Sequence, residues 1–258
     1  MDERWIYLCE DSLDGIFTAV YRAYEEGHPH AANRIQISDR MYHQELFARY
    51  IPVETDYDQA EKVARTLRNK VSVPVYEWMK KCSVSYDPGK ADGIYRGIIL
   101  ALHMGGKVMD HLTRPEVQYL MELERHIINE IQHELQFLRF EELENGVLFG
   151  RINPKNAVLP YMAEHFADRF SGENWVIADT VHRTVLIHES GKGCSLAEMS
   201  DVDLEALELS VSASEELWQR LWKRFVDSIA IKERINPRLQ MQMLPKRFRK
   251  YMKEMQEP

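Results

Sequence analysis

The chain has 258 residues, 45% of them hydrophobic and 29% charged, with a net charge of −8. This is the composition of a folded protein and excludes a largely disordered one; the acidic balance excludes a surface that binds nucleic acid everywhere. No apolar run approaches the ~18 residues of a membrane span, and charges interrupt the opening MDERWIYLCEDS where a secretory signal needs a continuous apolar stretch. Cys9, Cys82 and Cys194 are far apart and form no CxxC pair, so reduced thiols in a cytoplasmic protein are expected, with no disulfide framework and no membrane.

In chain order, Trp5 to Cys9 reads as a short strand. Asp11 or Ser12 caps a helix to about Glu26, with Ile16, Phe17, Val20 and Tyr24 on one face and Gly27 at its end. Arg34 to Ile37 and Ala48 to Val53 are expected as short strands. Thr55, three residues before Asp58, predicts the cap of a helix through about Asn69. Pro74 opens a helix that ends near Cys82.

Ser83 to Lys90, with Pro88 and Gly89, marks a boundary between a region 1–82 and a domain 83–258. A helix over Ala91 to Met104 stops at Gly105-Gly106. Thr113, Pro115 and Glu116 start a long helix whose Leu120, Leu123, Ile127, Ile131, Leu135 and Leu138 form an apolar stripe. Two strand pairs follow. One lies around 137–152, flanking Asn145-Gly146, a strong hairpin signal; the other lies around 175–188, after a helix from Leu159 to Phe170. Ser212 and Glu215 open a helix with Trp218, Leu221, Trp222, Phe225 and Ile229 on one face. A last amphipathic helix follows Pro245, with Phe248, Met252 and Met255 on its apolar side. The fold class is therefore α+β, predominantly helical, with short antiparallel strand pairs packed on helices.

Three groups of residues carry candidate chemistry. His126, Glu130 and His133 share nearly one face of the long helix, and imidazole with carboxylate suits a transition metal; the solvated face opposite the apolar stripe explains the same residues. Arg139, Arg169 and Arg183 stand beside aromatic or imidazole rings, as in proteins that neutralise phosphate and stack on bases. The same arginines suit pairing with acids around a Phe core. The third group is the stretch from Ile231 to Lys253, with Lys232, Arg234, Arg238, Lys246, Arg247, Arg249, Lys250 and Lys253 against Glu233 and Glu254. It is the most anion-attracting stretch of the chain. An acidic segment precedes it: residues 196–217 hold seven acids and no Lys or Arg. That segment either folds back on the basic stretch or leaves it to an anionic partner. Asp179, His182 and Arg183 form a small polar group on the second strand pair, where a turn salt bridge accounts for them.

Several motifs are missing. No GxxxxGK[ST] phosphate loop, GxGxxG turn, GxSxG elbow, CxxxCxxC cluster motif or His-x-Glu…Pro-Cys-x-x-Cys deaminase pattern is present. No cofactor is expected.

Several motifs in order resemble a bacterial family named "probable DNA metabolism protein". They are Phe137-Leu138-Arg139-Phe140, Val158-Leu159-Pro160 and His165-Phe166-Ala167-Asp168-Arg169-Phe170, then Trp175, Ile177, Asp179 and Arg183. The C-terminal match is Ile231-Lys232-Glu233-Arg234-Ile235-Asn236-Pro237-Arg238-Leu239-Gln240 with Leu244-Pro245-Lys246-Arg247-Phe248, and Asp14 to Val20 resembles the family's start. The resemblance implies a setting in DNA metabolism or repair: members accompany a radical SAM protein of DNA modification or repair, and some are fused to a uracil-DNA glycosylase domain. It carries no established catalytic residue. The family often has Glu-x-His before Phe-x-Arg-Phe, where this chain has Glu130-Ile131-Gln132. His133 next door points about 100° away around the helix.

The leading expectation is an accessory protein that binds nucleic acid through Arg139, Arg169, Arg183 and the basic stretch, beside a radical SAM partner. The alternatives are a metal-dependent enzyme acting on nucleic acid or a nucleobase through His126, Glu130 and His133, and a protein-interaction module whose partner surfaces are the acidic segment and the Trp218/Trp222 helix.

Overall fold

The computed structural model describes residues 4–40, 45–212, 214–229, 231, 234 and 236–255. The chain forms two compact units, divided between Ile128 and Asn129.

In the first unit, β1 (Arg4–Cys9), β2 (Asn33–Ile37) and β3 (Ala48–Pro52) make a parallel sheet in the order β2-β1-β3. Tyr7 of the central strand is paired with Ile35 on one side and Ile51 on the other. Helix α1 (Leu13–Glu25) crosses from β1 to β2; Ser12 caps it, its Oγ accepting from the Gly15 N–H at 2.9 Å. Helix α2 (Tyr57–Thr66) is capped by Asp56 rather than Thr55, because the Asp56 carboxylate reaches the N–H groups of Asp58 and Gln59 while Thr55 Oγ1 donates to Glu10. Helices α3 (Val73–Ser83), α4 (Lys90–Met104) and the start of α5 (Pro115–Phe137) complete the unit. Trp78, Ile94, Tyr95 and Leu120 share one buried core with Tyr7 and Phe17. The expected boundary at Ser83 to Lys90 is thus a turn inside this unit, shaped by Asp87, whose Oδ1 accepts from the Gly89 N–H at 2.8 Å. The division falls at 128/129 because α4 packs into the same core as the sheet.

The second unit carries a five-stranded sheet: β4 (Phe140–Glu142), β5 (Leu148–Ile152), β6 (Trp175–Asp179), β7 (Thr184–Glu189) and β8 (Gly193–Glu198), paired in that order. The expected hairpins are β4/β5, turning at Gly146 with φ +79°, and β6/β7. They are not separate pairs. Strands β5 and β6 run parallel, with Gly150 opposite Ile177, and join both hairpins into one sheet; α6 (Ala163–Arg169) lies in the crossover between them. After β8 come α7 (Asp201–Leu209), α8 (Glu215–Ile229) and α9 (Pro237–Met243). Where one final amphipathic helix was expected, two short 3₁₀ turns stand, Lys246–Tyr251 and Lys253–Met255. They still bury Phe248 and Met252 beside Leu244. The class is α+β, as the element pattern implied. No helix among the described residues is long and apolar enough to cross a membrane.

Candidate functional site

Two places in the second unit bring functional side chains together. The first is a cleft of about 570 Å³. The turn from α5 into β4 supplies Arg139 and Phe140, the end of α6 supplies Arg169 and Phe170, α8 supplies Trp218 and Trp222, and the 3₁₀ turns supply Tyr251 and Glu254. Phe140 is held edge-on between Phe166 and Phe170, at centroid distances of 5.4 and 5.3 Å, so the cleft wall continues the aromatic core around Trp175. Trp218 and Trp222 are exposed, by 61% and 44%. The amphipathic pattern of α8 predicts a buried face, yet Leu217, Leu221, Phe225 and Ile229 are exposed as well.

Arg139 donates through Nε and Nη2 to Oε1 of Glu254, at 3.0 and 2.8 Å. Arg169 is exposed and stands 5.5 Å over the Phe170 ring, with no ion-pair partner among the described residues. The cleft thus brings exposed indole faces and an exposed guanidinium together.

The second place lies at the carboxyl ends of β5 and β6. Glu130, 1% exposed, accepts from the backbone N–H groups of Lys155 and Asn156 and from Asn156 Nδ2, and pairs with Arg247 at 2.6 Å. Asp179 is fully buried. Its Oδ1 accepts from the N–H groups of Val181 and His182, and its Oδ2 lies 2.7 Å from His182 Nδ1. Glu134, one helical turn beyond Glu130, is 5% exposed, and its carboxyl makes no hydrogen bond among the described residues. Burial first, then the Glu130 and Asp179 carboxylates, push its pKa up to about 8 against the pull of Arg247. Tyr251 links the two places: it lines the cleft, and its hydroxyl is 3.3 Å from Thr180 Oγ1, next to Asp179.

The other expected site residues divide sharply. Arg183 sits in the β6/β7 turn at φ +53° and pairs with exposed Asp201. Arg249 donates to the Leu244 and Gln240 carbonyls and so caps the end of α9. Arg234, Arg238, Lys246 and Lys250 are exposed, Lys250 with its ammonium 4.9 Å from the centre of the Tyr251 ring. Lys232, Glu233 and the side chain of Lys253 lie outside the described residues. In the acidic segment, Asp201 pairs with Arg183 and Glu208 with Arg151.

His126, Glu130 and His133 do not converge. His126 is exposed, Glu130 is buried against Asn156 and Arg247, and His133 donates from Nδ1 to the Asn129 carbonyl while stacking 4.9 Å from Phe248. No group of three or more His, Cys, Asp or Glu among the described residues is arranged to hold a metal. Sequence reading missed Glu134, Tyr251 and Glu254 as site residues. Only their positions in the apolar and basic helical patterns were visible, and those patterns carry no sign of which distant strand they meet.

A family model described as a domain of unknown function, DUF4130, matches residues 88–254, more than half of the chain. The chain belongs to the DUF4130 family. Both places described above fall inside the DUF4130 match, whereas the parallel sheet β2-β1-β3 precedes it. No curated protein matches the chain. Among solved structures it is similar to one titled as the DHH domain of a member of a family of ribosomal proteins, at 11% identity and a TM-score of 0.31, over 73% of this chain and 74% of that one. A likeness of that size says nothing about function.

Proposed function

We propose that this DUF4130 protein is an accessory protein of DNA metabolism or repair that binds nucleic acid through the cleft of its second unit, beside a radical SAM partner. The observation that carries the reading is the convergence of Arg139, Arg169, Phe170, Trp218 and Trp222 on one cleft. Ring faces stack on any base and the exposed Arg169 guanidinium is free to meet phosphate, while Arg139 is held by Glu254 and the Gln136 and Leu138 carbonyls, so the cleft suits a single strand better than a duplex, whose bases are already stacked. The exposed Arg234, Arg238 and Lys246 add sequence-independent attraction, which weakens as salt rises. The family resemblance supplies the DNA setting and the partner.

Fluorescence anisotropy with labelled single- and double-stranded oligonucleotides across a salt series tests the reading. The expected result is salt-sensitive binding, tighter for the single strand, that falls at least tenfold in Trp218→Ala/Trp222→Ala, since each stacked base contributes about 1–3 kcal/mol. No binding at low salt sinks it.

One observation favours a second reading, a protein-interaction module. The exposed apolar face of α8 extends past the cleft through Leu221, Phe225 and Ile229, and such faces mark protein contacts. Copurification with a protein partner, without any oligonucleotide affinity, is the result that would select it.

A further inference from the structure

Arg139 and Glu254 line the same cleft, and their pairing leaves the carboxylate half used. A guanidinium presents Nε–H and Nη2–H as two parallel donors, a fork that fits an anion offering two oxygens. Here both donors converge on Oε1 of Glu254, at 3.0 and 2.8 Å. Oε2 is buried and has no hydrogen-bond partner among the described residues, in a side chain only 6% exposed. A carboxylate oxygen taken out of water and given no donor disfavours the closed arrangement.

Three further observations make Glu254 a removable occupant of this fork. Nη1 of Arg139 donates to the Gln136 and Leu138 carbonyls, so the guanidinium keeps its place when the carboxylate leaves. The Arg139 side chain is 32% exposed, so an anion in the cleft can reach it. Glu254 stands on a 3₁₀ turn of three residues, Lys253–Met255, outside the five-stranded sheet, and moving it breaks no strand pairing. The other acids lining the cleft are engaged differently. Glu141 pairs with Arg151 and accepts from Gln219, and Glu215 accepts from the Glu142 N–H and from Gln219.

We propose that the Nε/Nη2 edge of Arg139 is a phosphate seat of the cleft, filled by the Glu254 carboxylate until a phosphate of a bound single strand displaces it; this rests on the nucleic-acid reading above. The two non-bridging oxygens of a phosphodiester match the fork one to one. Displaced Glu254 turns to water, where both of its oxygens are solvated. Arg169 meets phosphate directly, whereas Arg139 does so only after this exchange, so a competitor within the chain sets the affinity of the cleft.

The test measures affinity of the full chain for a labelled single-stranded DNA oligonucleotide by anisotropy across a salt series. It compares the parent, Glu254→Gln, Arg139→Ala and the double variant, with melting temperatures alongside. Glu254→Gln is expected to bind at least about fivefold tighter. Its salt slope should steepen by about 0.7, the share of one more phosphate on a single strand. Both gains should vanish in the Arg139→Ala background. That comparison separates a freed Arg139 from mere loss of a negative charge, which would tighten binding equally with or without the arginine. Glu254→Asp keeps the charge but draws the carboxylate back by one methylene, and it too should tighten binding; it carries the test if Glu254→Gln melts early. Parental affinity in whichever variant melts like the parent, or an equal gain in the Arg139→Ala background, overturns the inference and leaves the nucleic-acid reading standing. Absence of binding by every form overturns both.

Discussion

Arg247 Nη1 lies 2.6 Å from Oε1 of Glu130, a carboxylate only 1% exposed. An arginine that reads as part of a free basic run is thus the partner of a buried acid. Breaking such a pair leaves a charge without compensation, which costs about 3–5 kcal/mol; the backbone N–H groups that also hold Glu130 place this case at the lower end. Arg247→Ala is expected to lose about 3 kcal/mol in urea unfolding. Lys246→Ala, one residue earlier and exposed, should stay within about 0.5 kcal/mol of the parent. Equal effects of the two substitutions would show that the Glu130 pair does not form.

What the sequence made legible was local. Ser12 capping α1, the Pro115-Glu116 start of α5 and the Asn145-Gly146 hairpin all depend on residues a few positions apart, although the expected Thr113 cap lies one residue before the position that precedes the helix. The parallel pairing of β5 with β6 does not: its partners are more than twenty residues apart, and both strands carry the same alternating pattern whichever neighbour they choose. The same limit hid the site. Asp179 and His182 are three residues apart and readable as a turn, but the burial of Glu134 near Glu130 and Asp179 comes only through the fold. The apolar face of α8 misled in the other direction, because amphipathic periodicity reports a face that can be buried and not whether anything covers it.

Glu134 gives stability a pH dependence of known sign. Its folded-state pKa, about 8, lies above the ordinary glutamate value of 4.5. Below the lower value both states hold the proton and the group is neutral in the balance. Between the two, the folded state must keep a proton that the unfolded chain releases, so stability falls as pH rises, by about 1.4 kcal/mol per pH unit at most. Above about 8 the loss is complete. Glu134→Gln removes this contribution. Its melting temperature should therefore match the parent near pH 4.5 and exceed it increasingly towards pH 8. A constant difference across that range would contradict the burial of an ionisable Glu134.

Gly93 on α4 faces Tyr119 on α5, and a Cβ at Gly93 would overlap Tyr119 Cε1. The ring cannot easily swing away, because its hydroxyl donates to Asp87 at 2.6 Å. Higher helix propensity would make Gly93→Ala stabilising by up to about 1 kcal/mol in an open helix. Here the overlap dominates, and a net loss of roughly 1–3 kcal/mol is expected from thermal unfolding. Adding Tyr119→Ala should make the Gly93→Ala cost disappear; if it persists, the clash lies elsewhere.

Arg169 and Arg249 separate binding from folding. Both belong to charged stretches that look alike in sequence, yet Arg169 ends α6 beside the cleft, whereas Arg249 directs its guanidinium to the Leu244 and Gln240 carbonyls. Arg169→Ala should leave the melting temperature unchanged and weaken oligonucleotide binding uniformly across sequences, reducing the salt slope by about 1. Arg249→Ala exposes the carbonyls it caps and should lower stability by about 1 kcal/mol. Its effect on the salt slope should be small, because this guanidinium already has its acceptors. Paired melting and anisotropy series on the two variants distinguish these outcomes. A salt slope that changes in Arg249→Ala and not in Arg169→Ala would move the phosphate contacts from the cleft to the C-terminal turns.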